Sequence, residues 1–306
     1  MKKKYNLINF KSVVILSTLF FFSNLYSAII YVNDNLTAGD QFCTAVGNDA
    51  NNGLTPSTPK LSLSAALSVA SNGDLILVDA GTYSGANNRS LNINKEVEIR
   101  GAGEINTIFD NATNTQRWGS ITASNVKINR LTITRYALAA DGIAVSITSG
   151  TNIELNRVLI NANVGSAGQG AVYISGASTS VSIKNSGSPC NRVASANYGG
   201  GYKIDGATVL FDNCSINNNV VSAIQGGGIL IIGNTANVTI NNTTFDDNEA
   251  AAGGAICIQN GTLSVNNCCF NGNTTNAGAG NLLGGGAILV QASTNGTPVF
   301  PVIQAL

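Results

Sequence analysis

Histidine is absent from the 306 residues, and charged residues make up only 10% of them. Without histidine there is no Ser-His-Asp or Cys-His mechanism and no His-ligated metal site. Aromatics are 6%, and so low a charge content excludes a long coiled coil. Hydrophobic residues at 44% exclude a disordered chain. Lys and Arg together number 16, as do Asp and Glu. The basic stripe expected of a nucleic-acid binder is missing. What abounds instead is Gly (34) and Asn (42), the residues of tight turns.

The amino terminus reads as an address. Lys2, Lys3, Lys4 and Lys11 flank an apolar run from Ser12 to Phe22, and small and polar residues lead to Tyr26-Ser27-Ala28. This is the layout of a secretory signal peptide over residues 1–27, too short for a membrane anchor. Its removal leaves a chain of net charge −4 with no transmembrane segment, because all four of its charges are Lys.

The rest of the chain repeats. Apolar-variable-apolar triplets begin at Val126, Ile153, Val181, Val209, Val238 and Leu263, 25 to 29 residues apart. A second series begins at Val145, Val172, Tyr202, Ile229, Ile256 and Ile288, with steps of 27 to 32. The two series interleave, each triplet has strand periodicity, and Gly and Asn fill the gaps. A repeat of this length built from short strands is one turn of a solenoid, whose coils share a core only when stacked. Leu-x-x-Leu-x-Leu is missing, which sets aside a leucine-rich repeat. The expected fold is all-β, a right-handed parallel β-helix.

Leu63, Ala66, Leu67 and Ala70 have helical spacing, and Asn72-Gly73 is a stop, which predicts a short N-terminal capping helix. The expected organisation is signal peptide 1–27, loop and capping helix 28–73, β-helix 74–295 and an irregular tail 296–306, the last suggesting a fragment. Arg130, Arg157, Asn185, Asn213, Asn242 and Asn267 follow the first series at a fixed offset and predict a polar corner with stacked amides. Lys127 and Glu154 share a slot on adjacent coils and are expected to pair.

Six Cys in a secreted chain permit 15 connectivities for three bridges. Cys214 and Cys268 fill one inward slot two coils apart, about twice 4.8 Å, beyond disulfide reach. They are not expected to be bonded to each other. Cys268-Cys269 lacks the CxxC spacing of a zinc or redox site, so no metal is read there.

Gly253-Gly254-Ala255-Ile256 and Gly285-Gly286-Ala287-Ile288, with Phe245-Asp246-Asp247-Asn248 and Phe270-Asn271-Gly272-Asn273, resemble the GGAI and FxxN repeats of chlamydial polymorphic outer-membrane proteins. The opening block from Tyr31-Val32-Asn33 to Ala80-Gly81-Thr82-Tyr83 is similar to the leading segment of secreted bacterial pectate-lyase-like β-helix proteins. These resemblances imply a secreted or outer-membrane-associated protein of a Gram-negative bacterium. Members of the first family are surface adhesins.

Pectate-lyase-like enzymes use a surface of the kind the second series would form, with a Lys or Arg base and carboxylates that hold calcium. In register, its outward columns include Ser146, Tyr173, Lys203, Leu230, Cys257 and Leu289, then Thr148, Ser175, Asp205, Ile232, Gln259 and Gln291. Leu230, Ile232, Cys257 and Leu289 would form an exposed apolar stripe, unless a loop or tail covers it. Tyr173, Lys203, Asp205 and Leu230 are the candidate ligand-binding residues, and Lys203 is the one candidate catalytic base. Asp205 alone supplies a carboxylate to these columns, too few for a calcium cage or a glycosidase pair. No cofactor is expected, and calcium is without support. The expected function is non-catalytic adhesion or glycan binding, with a polysaccharide or a host or cell-surface ligand as partner and no nucleic acid. A polysaccharide lyase or epimerase acting on uronic-acid polymers, and a structural spacer, are the alternatives.

Overall fold

Side chains at the first and third positions of each triplet point inward, because successive Cβ atoms of a strand alternate. Val181 and Ile183, Val209 and Phe211, and Val238 and Ile240 are all buried. A computed structural model describes residues 27–112, 115–165, 170–193, 199–222, 225–276, 284–291 and 302–305. The expected signal peptide lies outside the described residues apart from Ser27.

The chain winds into a right-handed β-solenoid of about seven turns with one short helix. The two triplet series form two parallel sheets. In the twelve-stranded sheet Val181 pairs with Val209, Val209 with Val238 and Val238 with Leu263. In the eight-stranded sheet Val145, Val172, Tyr202, Ile229, Ile256 and Ile288 follow one another in register. A six-stranded sheet runs from Ala137–Leu138 to Thr274–Thr275, and a three-stranded sheet holds Ser215–Asn217, Thr244–Asp246 and Cys269–Asn271. One continuous core runs from Ile30 to Leu263 between them. Inside it Phe109 packs tilted against Tyr83 at 5.2 Å and edge-on against Trp118 at 5.5 Å between centroids, and Phe245 lies parallel to Phe270 at 4.9 Å.

The ladder extends beyond the boundaries read from the sequence at both ends. Ile29–Val32 pairs with Leu75–Val78, so the stack begins inside the segment expected to be loop and helix. Val302–Ala305 pairs with Thr262–Val265, so four residues of the expected irregular tail are a strand. The rest of that tail lies outside the described residues. Both strands are separated from their partners by long connections, so local spacing gives no register for them.

The helix Leu63–Val69 forms where predicted. Ser62 caps it, its Oγ accepting from Ala65 N at 3.2 Å, and Leu63, Ala66 and Leu67 enter the core. Lys95 Nζ donates to the terminal carbonyls of Leu67 (2.9 Å) and Ala70 (2.6 Å).

The outer corner is polar as expected, but its amide stack is interrupted where Asn242 Nδ2 donates to Asp212 Oδ1 at 2.9 Å. Asn185, Asn213, Asn242 and Asn267 adopt φ between 49° and 54°, a left-handed conformation that Asn tolerates. Asn213 Nδ2 donates to Asn185 Oδ1 at 2.8 Å, and Asn267 Nδ2 to Asn242 Oδ1 at 2.7 Å. Lys127 and Glu154 are register partners, but the ion pair goes the other way: Lys184 Nζ reaches Glu154 at 3.1 Å.

A second amide ladder lies inside. Asn163, Asn191, Asn219, Asn248 and Asn273 stack on successive coils, each Nδ2 donating to the next Oδ1 at 2.9 or 3.0 Å. Asn163, Asn191, Asn219 and Asn248 are fully buried. Each backbone N–H of those four donates to the same next-coil Oδ1, at 3.1 or 3.2 Å. Each Nδ2 also donates back to a carbonyl of the coil before, for example Asn219 to Ser188 O at 2.6 Å. The Asn of FxxN is therefore a stacking residue. The GGAI motif is another. Gly226, Gly253 and Gly285 take φ of 69°, 62° and 92°, which only glycine adopts freely.

Candidate functional site

The outward column of the eight-stranded sheet collects most of the predicted residues. Lys203 lies between Tyr173 and Leu230 in register. Its ammonium is only 8% exposed by side chain, sits 3.2 Å from Asp141 Oδ2, and lies 5.0 Å from the centre of the Tyr173 ring. Tyr173 Oη contacts Asp205 Oδ2 at 3.5 Å. Tyr173, Lys203 and Asp205 thus form one cluster, joined by Asp141 from the connection that precedes the strand Val145–Ile147. Burial raises the Tyr173 phenol above its usual range. Arg117 is lowered by burial, with Asp141 opposing the shift.

Sequence reasoning missed Asp141, which is 62 residues from Lys203 and belongs to no strand. Its place in a turn before a second-series strand was the only available signal.

Leu230 is not on this surface. Leu230 and Cys257 are fully buried, and Ile232 and Leu289 are half-buried, so the expected exposed apolar stripe is covered. The turns leading into the strands fold back over it. A Cβ on Gly199 would stand 3.4 Å from Leu230 Cβ, and one on Gly253 would stand 3.0 Å from Cys257 Cβ. Side-chain alternation says which way a residue points and not what lies above it. Gln225, from one of these connections, is buried and hydrogen-bonds Gln259 and Gln291, which follow the strands Ile256–Ile258 and Ile288–Val290.

An open surface lies instead along the corner that follows the first-series strands. A trough of about 570 Å³ runs over several coils along the outer corner. Asn185, Asn213 and Asn242 line it with Ser186, Ser215 and Thr244. Its amino-terminal end holds the ion pair of Arg157 Nη2 with Glu104 Oε1 at 2.9 Å. Burial works against the Glu104 carboxylate, but backbone and Arg157 hydrogen bonds hold it below the usual range. A primary amide offers two N–H donors and two acceptor sites. The ladder uses one N–H of Asn185 and one of Asn213, at 3.0 and 2.8 Å. The remaining capacity faces a groove whose hydrogen-bonding groups recur at the strand spacing of about 4.8 Å.

Among the described residues no three His, Cys, Asp or Glu side chains converge on a point that could hold a metal ion. All six thiols are free, Cys214 and Cys268 included. Among the described residues no helix is long and apolar enough to cross a membrane.

No curated protein matches this chain. Two solved structures resemble it, each at 14% identity and a TM-score of 0.45. One is pectate lyase Pel9A, with 91% of this chain and 80% of that one covered. The other is a rhamnogalacturonan lyase, with 79% and 74% covered. The family described as "Right handed beta helix region" matches residues 111–297, more than half of the sequence and most of the coils described above. The chain belongs to that family.

Proposed function

We propose that this protein is a secreted or cell-surface β-helix that binds an extended glycan without converting it. The observation that carries the reading is the outer-corner trough, where Asn amides recur coil after coil and Ser215 and Thr244 add hydroxyls on two adjacent coils. A repeating polymer meets a repeating surface, and neutral donors and acceptors suit hydroxyl-rich ligands. Residues 1–27 supply the export signal, a Gram-negative cell surface is the destination, and the resemblance to polymorphic outer-membrane repeats agrees with adhesion. The helix Leu63–Val69 serves as the cap of the amino-terminal end.

A second reading, a polysaccharide lyase or epimerase, is favoured by the clustering of Lys203, Asp141, Tyr173 and Asp205. Against it, Lys203 is buried and engaged by Asp141 and the Tyr173 ring, not presented to an open groove.

One experiment separates the two. The purified chain is mixed with neutral and uronic-acid polysaccharides, with calcium present. Co-sedimentation reads binding, and ultraviolet absorbance reads unsaturated product. Binding without product, weakened about tenfold by the double substitution Asn185→Ala and Asn213→Gly, is the expected result. Product that disappears in Lys203→Ala establishes the lyase, and binding untouched by the Asn substitutions moves the site off the trough.

A further inference from the structure

The outer-corner trough has a wall at one end, and strand register shows where the wall comes from. Arg100 pairs with Asn129, and Ile108 with Thr132. The later coil joins these partners through two residues, Arg130 and Leu131, and the earlier coil through seven, 101–107. Residues 102–106 are therefore an insertion at the corner, on the amino-terminal side of the trough. From the coil of Asn156 to that of Asn266 nothing is inserted there. Partners before and after the corner stay in step, for example Lys184 with Asp212 and Gly187 with Ser215.

The insertion is held firmly. Thr107 N donates to Gly103 O at 2.8 Å, and Ala102 N donates to Thr107 Oγ1 at 2.8 Å, so its two legs are tied together. A Cβ on Gly101 would stand 2.2 Å from Arg130 O, so the chain leaves the corner where only glycine fits. Two later coils then grip the loop. Arg130 Nη2 donates to Ala102 O at 3.3 Å, and Thr132 Oγ1 donates to Glu104 O. Arg157 donates to Glu104 Oε1 from Nε at 3.3 Å and from Nη2 at 2.9 Å. The loop thus leans across the coil of Arg130 to meet that of Arg157, where the trough begins. At its tip Ile105 is 82% exposed, so the loop stands proud of the corner.

We propose that the loop 102–106 is an end stop, and that the trough takes the terminus of a neutral glycan chain and not an interior stretch. The inference rests on the glycan reading above. A chain lying along Asn242, Asn213 and Asn185 runs into the ion pair of Arg157 and Glu104 and has no straight path beyond it. Arg157 spends Nε and Nη2 on Glu104, and among the described residues its Nη1 makes no hydrogen bond. That group is left for a hydroxyl of the terminal sugar. Arg157 is accordingly a specificity-determining residue, standing where later coils carry Asn.

The test is calorimetric titration of the purified full chain with soluble xylan, glucomannan and mixed-linkage β-glucan, each intact and after partial acid hydrolysis. The titration counts binding sites per unit mass of polymer. Hydrolysis that multiplies chain ends tenfold at constant mass is expected to raise the sites per unit mass about tenfold. Deletion of residues 102–106, which gives this corner the length of the next one, is expected to make the site count follow mass instead. Arg157→Asn, which keeps the corner as later coils build it, is expected to weaken binding of chain ends about tenfold and serves if the deletion does not fold. Sites that follow mass in the parent chain overturn the end stop and leave the glycan reading standing. A folded deletion variant that still counts ends also overturns it, as does unchanged affinity in Arg157→Asn. No binding to any polymer, intact or cut, defeats both readings.

Discussion

Removing one rung of the inner amide ladder should cost far more than altering the outer one. Asn219 accepts from Asn191 N (3.2 Å) and Asn191 Nδ2 (3.0 Å), and donates to Ser188 O (2.6 Å) and Asn248 Oδ1 (2.9 Å). Asn191, Ser188 and Asn248 are all fully buried. Asn219→Ala leaves the Asn191 N–H without its acceptor and the Ser188 carbonyl without this donor. A buried group left unsatisfied costs about 1–3 kcal/mol, so two of them predict a loss of about 4 kcal/mol. In a chain of this size that lowers the melting temperature by about 7 °C. Asn213→Gly is the matched comparison on the outer corner. Asn213 is exposed, and glycine accepts its φ of 54° without strain, so the melting point should move by no more than about 2 °C. Far-ultraviolet circular dichroism during heating reads both. If Asn219→Ala melts within about 2 °C of the parent, water has satisfied the orphaned groups and the ladder does not hold the coils together.

Two further outcomes follow from the packing. A methyl group on Gly227 would overlap Gly254 O and stand 2.7 Å from Glu249 O, so Gly227→Ala must push two coils apart. Loss of soluble folded protein is expected, whereas Gly73→Ala, with open space around it and only its φ of 90° to oppose it, should still yield folded chain. For the thiols, Cys190 and Cys269 are exposed, while burial pushes Cys214 up to about 11 and Cys257 up to about 12 and raises Cys43 as well. At pH 8 the buried thiols stay protonated, and a chromogenic disulfide reagent should titrate Cys190 and Cys269 rapidly, the half-buried Cys268, which burial also raises, more slowly, and all six after denaturation. Fewer than six in denaturant without reductant would reveal a disulfide.

The fold was legible because a solenoid writes its register into the sequence as a period. Val145, Val172 and Tyr202 could be aligned by spacing alone, and the structure pairs them as aligned. The strands Ile29–Val32 and Val302–Ala305 carry the same ladder but sit outside the period, across long connections, so nothing local announced them. The inner ladder was half visible. FxxN marks Asn248 and Asn273 as a family resemblance and Ile216-Asn217-Asn218-Asn219 is a weaker copy of it, but Asn163 and Asn191 share only its offset, and the stacking alone shows what the Asn does.

The candidate site was less legible for a physical reason. Periodicity fixes the direction of a side chain within one coil, and so Tyr173, Lys203 and Asp205 were placed together. It says nothing about the connections between strands, whose lengths vary from coil to coil. Those connections bring Asp141 to Lys203, bury Leu230 and Cys257, and leave an open groove along the outer corner. A β-helix keeps its stacking chemistry in the repeat and its surface chemistry in the exceptions to it. Residues that deviate from the period, such as Arg157 in a column that becomes Asn, and Asp141 in a turn of small residues, are therefore the first positions to test for ligand contact.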